Sequence, residues 1–444
     1  MYKMSTINIQ KQFVRYVSQN MLGMLGMSLY ILADTFFISK SVGANGITAL
    51  NLVLPLYNLI FAIGAMIGVG SAIRFTVERN KGIKEAEGYF FHALAWGAII
   101  SLIFILAGAC FPGQVIHALG GDTDIVNTGF SYTRIFLMFA PFFMWNHIIT
   151  AFVRNDGDPS IAMFATLGSN LFNIVFDYVL MFPCGLSMAG AALATALSPI
   201  VSILICMRHF CSGRNTVILK PVRLSLRKLL FSCQVGVSAF VGEISSGVIT
   251  VAFNTIILGL SGNIGVAAYG VVANFSLVAV ALFNGIAQGS QPLISRFYGQ
   301  GDRKNLHIVI GLALKTALCT AVIVLILIQI WAEPMAGIFN REHDLELAAL
   351  AKQGLRLYFT GFLFAGINIV GTNILSAVES VQWAFISSIS RGFVAILIFA
   401  FLLSSLFGMP GVWLAFPCAE FVTMLLTLNG IRSIGKIRFC LRNT

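Results

Sequence analysis

The chain has 444 residues, of which 58% are hydrophobic and only 10% are charged. An ordinary soluble domain has about a quarter of its residues charged, so this composition excludes a water-soluble enzyme. The formal net charge of +11 does not predict nucleic-acid binding, because the basic residues lie between apolar runs. A mean hydropathy of +0.88 indicates instead a chain that is surrounded by lipid.

Twelve apolar runs follow one another along the chain, and each is long enough to cross about 30 Å of hydrocarbon at about 1.5 Å per residue. The runs lack the two-residue alternation of membrane β-strands, which excludes a β-barrel. The sequence therefore predicts an all-α polytopic membrane protein with twelve transmembrane helices. The predicted spans are 13–38, 48–76, 88–111, 124–153, 160–182, 187–209, 232–259, 266–295, 307–332, 346–376, 383–406 and 411–434.

Lys and Arg residues in the connecting loops indicate the orientation of these spans. If the N-terminus lies in the cytoplasm, the outer loops hold only Lys40 and Arg341, and the other basic loop residues are cytoplasmic. The positive-inside rule then predicts a multi-pass protein of the plasma membrane with both termini in the cytoplasm. We expect no cleaved signal peptide, because the first apolar run is too long for the hydrophobic region of a signal.

The two halves of the chain repeat each other. Ala49–Ser71 aligns without a gap with Ala268–Ser290 at an offset of 219 residues, and both segments end in Gly-Ser. Two further alignments have offsets of 220 and 221, and three such similar registers are not expected by chance. They pair Asp34-Thr35 with Asn254-Thr255, and Met188–Ala194 with Met409–Ala415.

Each repeat contains six spans, so both repeats enter the membrane from the same side. Parallel repeats of this kind form two helical bundles, with a substrate cavity between them that opens to alternate sides of the membrane. We therefore predict two pseudo-symmetric six-helix bundles: an N-lobe over 1–210, a cytoplasmic linker over 211–231 and a C-lobe over 232–444.

Four polar residues share one depth within the predicted N-lobe. Asp34 lies near the outer end of the first span, Asn173 and Asp177 lie one turn apart in the fifth, and Thr195 lies in the sixth. Two neighbouring carboxylates in a medium of low dielectric constant cannot both stay ionised without a cation. The pattern predicts a site for H⁺ or Na⁺, in which the amide and hydroxyl add neutral oxygens. Interhelical hydrogen bonding that only holds the bundle together is the alternative.

Three segments resemble the multidrug and toxic compound extrusion (MATE) family. They are LADTFFISKSVG in the first span, NLFNIVFDYVL followed by MAGAALAT in the fifth and sixth, and QPLISRFYGQGDRKN at the end of the eighth. The resemblance covers essentially the whole chain. It implies a V-shaped pair of six-helix lobes that exports amphipathic, often cationic, drugs in exchange for H⁺ or Na⁺, without any other cofactor. In the DinF-like branch, the coupling residues of the N-lobe correspond to Asp34, Asn173, Asp177 and Thr195.

A second branch of that family, the NorM-like branch, has coupling acids in the C-lobe as well. Glu243 in the seventh span matches one of these acids by position and residue type. The other acid has no clear counterpart, because Glu379 is out of register. The resemblance therefore implies Glu243 as a second candidate coupling acid.

A polar stripe in the eighth span is a candidate for lining the substrate cavity. Its members recur at increments of four, three and four residues, which places them on one face of a helix. Such a face in a lipid-embedded helix is expected to point into protein or into a water-filled cleft. Packing within the bundle is the rival interpretation. The candidate cavity residues are Asn284, Gln288, Gln291 and Ser295 of the stripe, with Asn254 and Asn274 nearby.

Other functions are weighed against drug antiport. A flippase for lipid-linked oligosaccharides would need a basic central cavity for the pyrophosphate, and few basic residues lie within spans. A membrane-embedded enzyme would need a nucleophile with a base, or a metal triad, and the sequence contains no such motif. We predict a monomeric multidrug exporter that confers drug resistance and is not an enzyme. The basic residues that would favour a flippase are Arg134, Lys315, Arg356 and Arg391.

Overall fold

The computed structural model describes residues 6–339 and 344–434, which form helices and contain no β-strand. The predicted all-α class is confirmed. The basic residue Arg341 and those beyond 434, which the orientation argument used, lie outside the described residues. In the first half the long helices are α1 (Thr6–Ser41), α2 (Ala44–Asn80), α3 (Tyr89–Cys110), α4 (Thr123–Met138 with Ala140–Asn155), α5 (Pro159–Met181) and α6 (Ser187–Phe210), and a short helix, Pro112–Ala118, lies between α3 and α4.

The second half begins with one helical stretch, Leu226–Gly299, that is broken at Gly262. Gly262 has φ 59° and ψ −152°, a conformation that glycine adopts without a steric penalty. We name its two parts α7 (226–261) and α8 (263–299). The remaining helices are α9 (Arg303–Phe339), α10 (Leu345–Tyr358 with Phe362–Ala377), α11 (Val381–Ile389 with Ala395–Phe407, joined by the π-helical turn Ser390–Val394) and α12 (Met409–Ile434).

The number of membrane spans agrees with the prediction. In the described ranges, ten helices are long and apolar enough to cross a membrane. This count treats α7 and α8 as one helix and does not include the bent helix α4. The two parts of α4 bend by 47° and together form one more span. Pro141 is the second residue of the second part of α4 and has no N–H group to continue the hydrogen-bond ladder. With α7 and α8 counted separately, the twelve predicted spans are confirmed.

The helices form two compact units, which we call the N unit and the C unit. The N unit is Leu22–Ile244, and the C unit is Ser245–Thr444 together with Met1–Met21, as far as these ranges are described. The predicted lobe limits, 1–210 and 232–444, differ from these units at the first 21 residues and at 211–244. The division therefore falls inside α1 and inside α7.

Glycines explain why the start of α7 belongs to the N unit. A Cβ atom at Gly236 of α7 would overlap the carbonyl oxygen of Met66 in α2, and one at Gly70 would overlap that of Ser232. The backbones of α2 and α7 touch here, as membrane helices do where small residues meet. In the C unit, Gly289 of α8 allows the backbone of α1 to approach closely in the same way. A Cβ added at Gly289 would lie 2.7 Å from the Cα of Val17.

The linker between α6 and α7 is attached to the N unit. The backbone N–H of Thr216 donates to Asp156 Oδ2 at 2.8 Å, and that of Ser225 donates to His92 Nε2 at 3.0 Å. Val217 between them is buried. The linker is therefore part of the N unit and not a loose tether.

Asp156, at the C-terminal end of α4, is the residue on which this attachment depends. Its buried carboxylate also accepts from Arg79 Nη1 at 2.9 Å and lies 2.9 Å from His209 Nε2. Burial by itself raises the pKa of Asp156, but the hydrogen bonds from His209 and Thr216 outweigh burial and hold the pKa below its ordinary value of 3.8. A carboxyl group whose pKa is lowered by folding adds to the free energy of unfolding at any pH above its unfolded-state pKa. This added stability is lost as the pH falls through the pKa of the folded state.

We expect Asp156→Asn to lower the free energy of unfolding by about 1–3 kcal/mol at pH 7, because buried donors lose a charged acceptor. The deficit relative to the wild type should shrink as the pH falls below 3.8. Thermal unfolding of the purified protein in detergent across a pH series measures both effects. Asp124→Asn, at an exposed position, is the matched control and should change little. A deficit that does not depend on pH would contradict the charge-based explanation.

Candidate functional site

The candidate site lies at one level near the ends of three helices of the N unit, and these ends are on the same side of the unit. Asp34 is seven residues before the end of α1, Asp177 is four before the end of α5, and Thr195 is eight after the start of α6. At about 1.5 Å per residue, all three lie roughly 6–12 Å along their helices from that end.

Helical spacing brings the polar faces of α1 and α5 together. Gly26, Tyr30 and Asp34 recur every four residues along one side of α1. Gly26 has no side chain, and a Cβ there would lie 3.4 Å from Asn170 Nδ2 of α5. This close approach lets the next polar residues of α5, Asn173 and Asp177, face α1.

The four predicted residues come together inside the bundle. The carboxyl groups of Asp34 and Asp177 lie within hydrogen-bonding reach of each other. Asn173 Nδ2 donates to Thr195 Oγ1 at 3.3 Å. Asp177 is 0% exposed and Asp34 is 9% exposed. Two acids therefore share one site that is almost fully buried.

The buried oxygen atoms of this site have no hydrogen-bond donors among the described residues. Asp34 Oδ1, both carboxylate oxygens of Asp177 and Asn173 Oδ1 are buried, and no described residue donates a hydrogen bond to them. Buried polar atoms that remain unsatisfied are costly in free energy. A proton shared by the carboxyl groups, or Na⁺ held between the oxygens, would satisfy them. In the described ranges no group of three or more His, Cys, Asp or Glu is arranged to hold a metal ion, so Na⁺ would depend on the two acids and neutral oxygens.

Three tyrosines that the sequence analysis did not single out surround the acids. The hydroxyls of Tyr30 and Tyr57 are 2.7 Å apart. Tyr132 of α4 lies close to Thr195 and interacts electrostatically with both acids. The spacing of four residues between Tyr30 and Asp34 was a usable signal, whereas nothing in the sequence connects Tyr57 or Tyr132 to the site.

Glu243 lies in the N unit, whereas the sequence analysis assigned it to the C-lobe. The difference has the same cause as the shifted lobe limits, because the first part of α7 packs on α2. Its carboxyl group interacts electrostatically with Tyr30, as do Asp34 and Asp177. Glu243 is itself exposed, so it is a neighbour of the buried acid pair and not a member of it.

The candidate cavity residues of the C unit differ in burial. Gln291 is 3% exposed, and its amide donates to Ser295 Oγ, which donates to the carbonyl of Ala377. This end of the stripe binds the helices of the C unit to one another. The others are half-buried: Asn254, Asn274, Asn284 and Gln288.

The basic residues that would favour a flippase are not equivalent to one another. Arg134, Lys315 and Arg356 are exposed. Arg391 is half-buried, and its Nε donates to Glu420 Oε1 of α12 at 2.6 Å. The guanidinium of Arg391 is thus engaged by an acid of the protein itself.

A chain of twelve membrane-spanning helices with a buried acid pair and two repeated halves is a polytopic membrane transporter. The profile of the MatE family matches residues 20–179 and 239–402, so the chain belongs to that family. It is 26% identical over 433 residues to the multidrug export protein MepA of Staphylococcus saprophyticus, covering 96% of this chain and 94% of that protein. MepA of Staphylococcus aureus is also 26% identical, over 426 residues, with 94% and 92% covered.

Known structures share the fold. One is described as the outward-facing conformation of a multidrug resistance MATE family transporter of the MOP superfamily. It has a TM-score of 0.89, a sequence identity of 23%, and 96% coverage of both chains. At this identity the similarity establishes the fold, which agrees with the twelve-helix MATE fold predicted from the sequence.

Proposed function

We propose that this transporter is a secondary active multidrug exporter of the DinF-like type, which exchanges amphipathic, cationic compounds for H⁺ or Na⁺ by alternating access. It acts as a monomer in the plasma membrane with both termini in the cytoplasm. The observation that carries the proposal is the acid pair Asp34 and Asp177, whose buried oxygens lack donors. The names of the MepA relatives, multidrug export proteins, support the substrate class.

The coupling mechanism follows from competition for negative charge. Without a bound ion, the acid pair attracts a cationic compound, and the nearby rings of Tyr57 and Phe136 offer aromatic faces for it, with their centroids 5.2 Å apart. When H⁺ or Na⁺ binds between the carboxylates, it neutralises them and lowers the affinity for the drug. Drug and ion therefore bind antagonistically, and this antagonism is reciprocal.

The test of this function uses the purified protein in proteoliposomes, with a pH gradient and a Na⁺ gradient imposed separately. We expect at least one gradient to drive accumulation of a fluorescent organic cation such as ethidium. The gradient that drives transport identifies the coupling ion. Ethidium transport that proceeds equally without either gradient would contradict the proposal.

Tyr132→Phe tests the contribution of the Tyr132 hydroxyl to the site. We expect the variant to fold and to bind the coupling ion about twofold to tenfold more weakly, because the lost hydroxyl interacts electrostatically with both acids and a lost polar interaction costs about 0.5–1.5 kcal/mol net. The measurement is the ion concentration that gives half-maximal displacement of ethidium. Tyr178→Phe is the matched control, since Tyr178 lies beside Asp177 but is 54% exposed. Equal effects of the two substitutions would contradict a specific role for Tyr132.

A further inference from the structure

The C unit contains a buried ion pair that the proposed mechanism does not use. Glu420 of α12 is 2% exposed, and its Oε1 accepts from Arg391 Nε of α11 at 2.6 Å. Its Oε2 accepts from Asn368 Nδ2 of α10 at 2.6 Å, and the same amide donates to the backbone carbonyl of Glu420 at 2.8 Å. Both oxygens of this carboxylate therefore have donors.

The pair lies near the middle of the membrane. Arg391 is ten residues after the start of α11, and Glu420 is eleven after the start of α12. At about 1.5 Å per residue, each is roughly 15 Å along its helix. An isolated charge at this depth is costly, so charged residues in spans pair with one another or mark functional sites.

The acids of the two units are neutralised in different ways. Glu420 has a cation within its own protein, whereas no described Lys or Arg forms an ion pair with Asp34 or Asp177 of the N unit. An acid with an internal counter-ion needs no ion from solution. An acid pair without one must take up H⁺ or Na⁺ to remain at low dielectric constant.

The internal repeat places no acids in the C unit at the positions of the coupling acids. Asn254 occupies the position of Asp34 at an offset of 220. At offsets of 219 to 221 from Asp177, the chain has Ile396, Leu397 and Ile398. The second repeat therefore lacks both coupling acids and has its own acid, Glu420, elsewhere.

The surroundings of the pair hold it in place. Arg391 lies in the π-helical turn Ser390–Val394, and the hydroxyls of Ser390 and Thr423 on either side of the helix interface are 2.8 Å apart. Tyr358 of α10 interacts electrostatically with both Glu420 and Arg391. The guanidinium and the phenol are the ionisable groups that face Glu420 from α11 and α10.

We propose that Arg391 is the resident counter-ion of Glu420, in the place where a coupling cation would otherwise be needed. The C unit then takes up no coupling ion, and the acids of the N unit alone set the number of ions exchanged in each cycle. The claim that the N unit alone sets the number of ions rests on the proposed antiport function. The claim that Arg391 is the counter-ion of Glu420 concerns the ion pair only and is tested without transport.

The first test is infrared difference spectroscopy of the full-length protein in Na⁺-free detergent solution, read at the C=O band of protonated carboxyl groups. Arg391→Met removes the counter-ion, and we expect it to add one protonated carboxyl group relative to the wild type. Arg391→Met with Glu420→Gln should lose this added band, and Arg391→Lys should match the wild type. If Glu420→Gln alone removes a protonated-carboxyl band from the wild type, Glu420 itself takes up protons and the proposal is overturned.

The second test uses the charge-neutral double variant, which leaves no unpaired charge in the bilayer if the single variant does not fold. In proteoliposomes, we expect Arg391→Met with Glu420→Gln to keep the wild-type ratio of ions to ethidium exchanged. A lower ratio in this folded variant would overturn the proposal. If the wild type exchanges no ions at all, the antiport function fails, but the infrared result still decides the role of Arg391.

Discussion

Asp34→Asn and Asp177→Asn are expected to uncouple drug export from the ion gradient while leaving the protein folded. Asparagine matches aspartate in shape but carries no charge to attract a cation. Binding energies that couple two ligands in proteins correspond to about 5-fold to 150-fold changes in affinity. We therefore expect the coupling ion to weaken ethidium binding by about this factor in the wild type and to have almost no effect in either variant.

Two measurements check this expectation: ethidium affinity with and without the coupling ion, and gradient-driven transport in proteoliposomes. Asp124→Asn changes an exposed acid of the same unit and should behave as the wild type. Because Asp34 and Asp177 lie within hydrogen-bonding reach, the double variant should be no more defective than either single one. Full gradient dependence in both single variants would refute the acid pair as the coupling site.

Gly236→Ala is expected to destabilise the protein through a single methyl group. The added Cβ would overlap the carbonyl oxygen of Met66, and backbone atoms cannot rotate away as a flexible side chain can. Overpacking of this kind costs about 1–3 kcal/mol. The variant should unfold at a lower temperature than the wild type, and α7 should separate from α2.

Gly242→Ala on the same helix is the matched control, because a Cβ at Gly242 meets no atom within 4 Å. Alanine favours a helix over glycine by about 0.8–1.0 kcal/mol, so this variant should be as stable as the wild type or more so. Thermal unfolding in detergent compares the three proteins. Equal melting temperatures for the two variants would show that α2 and α7 are not in backbone contact at Gly236.

The spans and the depth of the acid pair could be predicted because both depend on quantities that a sequence contains directly. A span needs a minimum number of apolar residues, and depth follows from counting residues from the end of a helix. Asp34, Asn173, Asp177 and Thr195 could therefore be placed at one level. Their direction could be predicted only for Asn173 and Asp177, which lie one turn apart on the same helix.

The contacts between helices could not be predicted, because they depend on which faces meet. Tyr132 lies far from Thr195 in sequence, and a tyrosine in an apolar run is equally expected at the membrane surface or in a core. Arg391 and Glu420 were visible as separate charges in neighbouring spans, but not as a pair. The repeat predicts the number of spans in each half, but it does not predict that the units divide within α1 and α7. The sequence therefore places Glu243 in the C-lobe, whereas the structure places it in the N unit.

The π-helical turn Ser390–Val394 affects how the second repeat could be redesigned. A π turn contains one residue more than an α turn, and each residue of an α-helix takes up about 100° around the axis. The rest of α11 is therefore rotated by about 100° compared with an uninterrupted α-helix. A carboxylate grafted by counting along the repeat should therefore use the offset of 221 residues that holds after the turn, which makes Ile398, and not Leu397, the counterpart of Asp177.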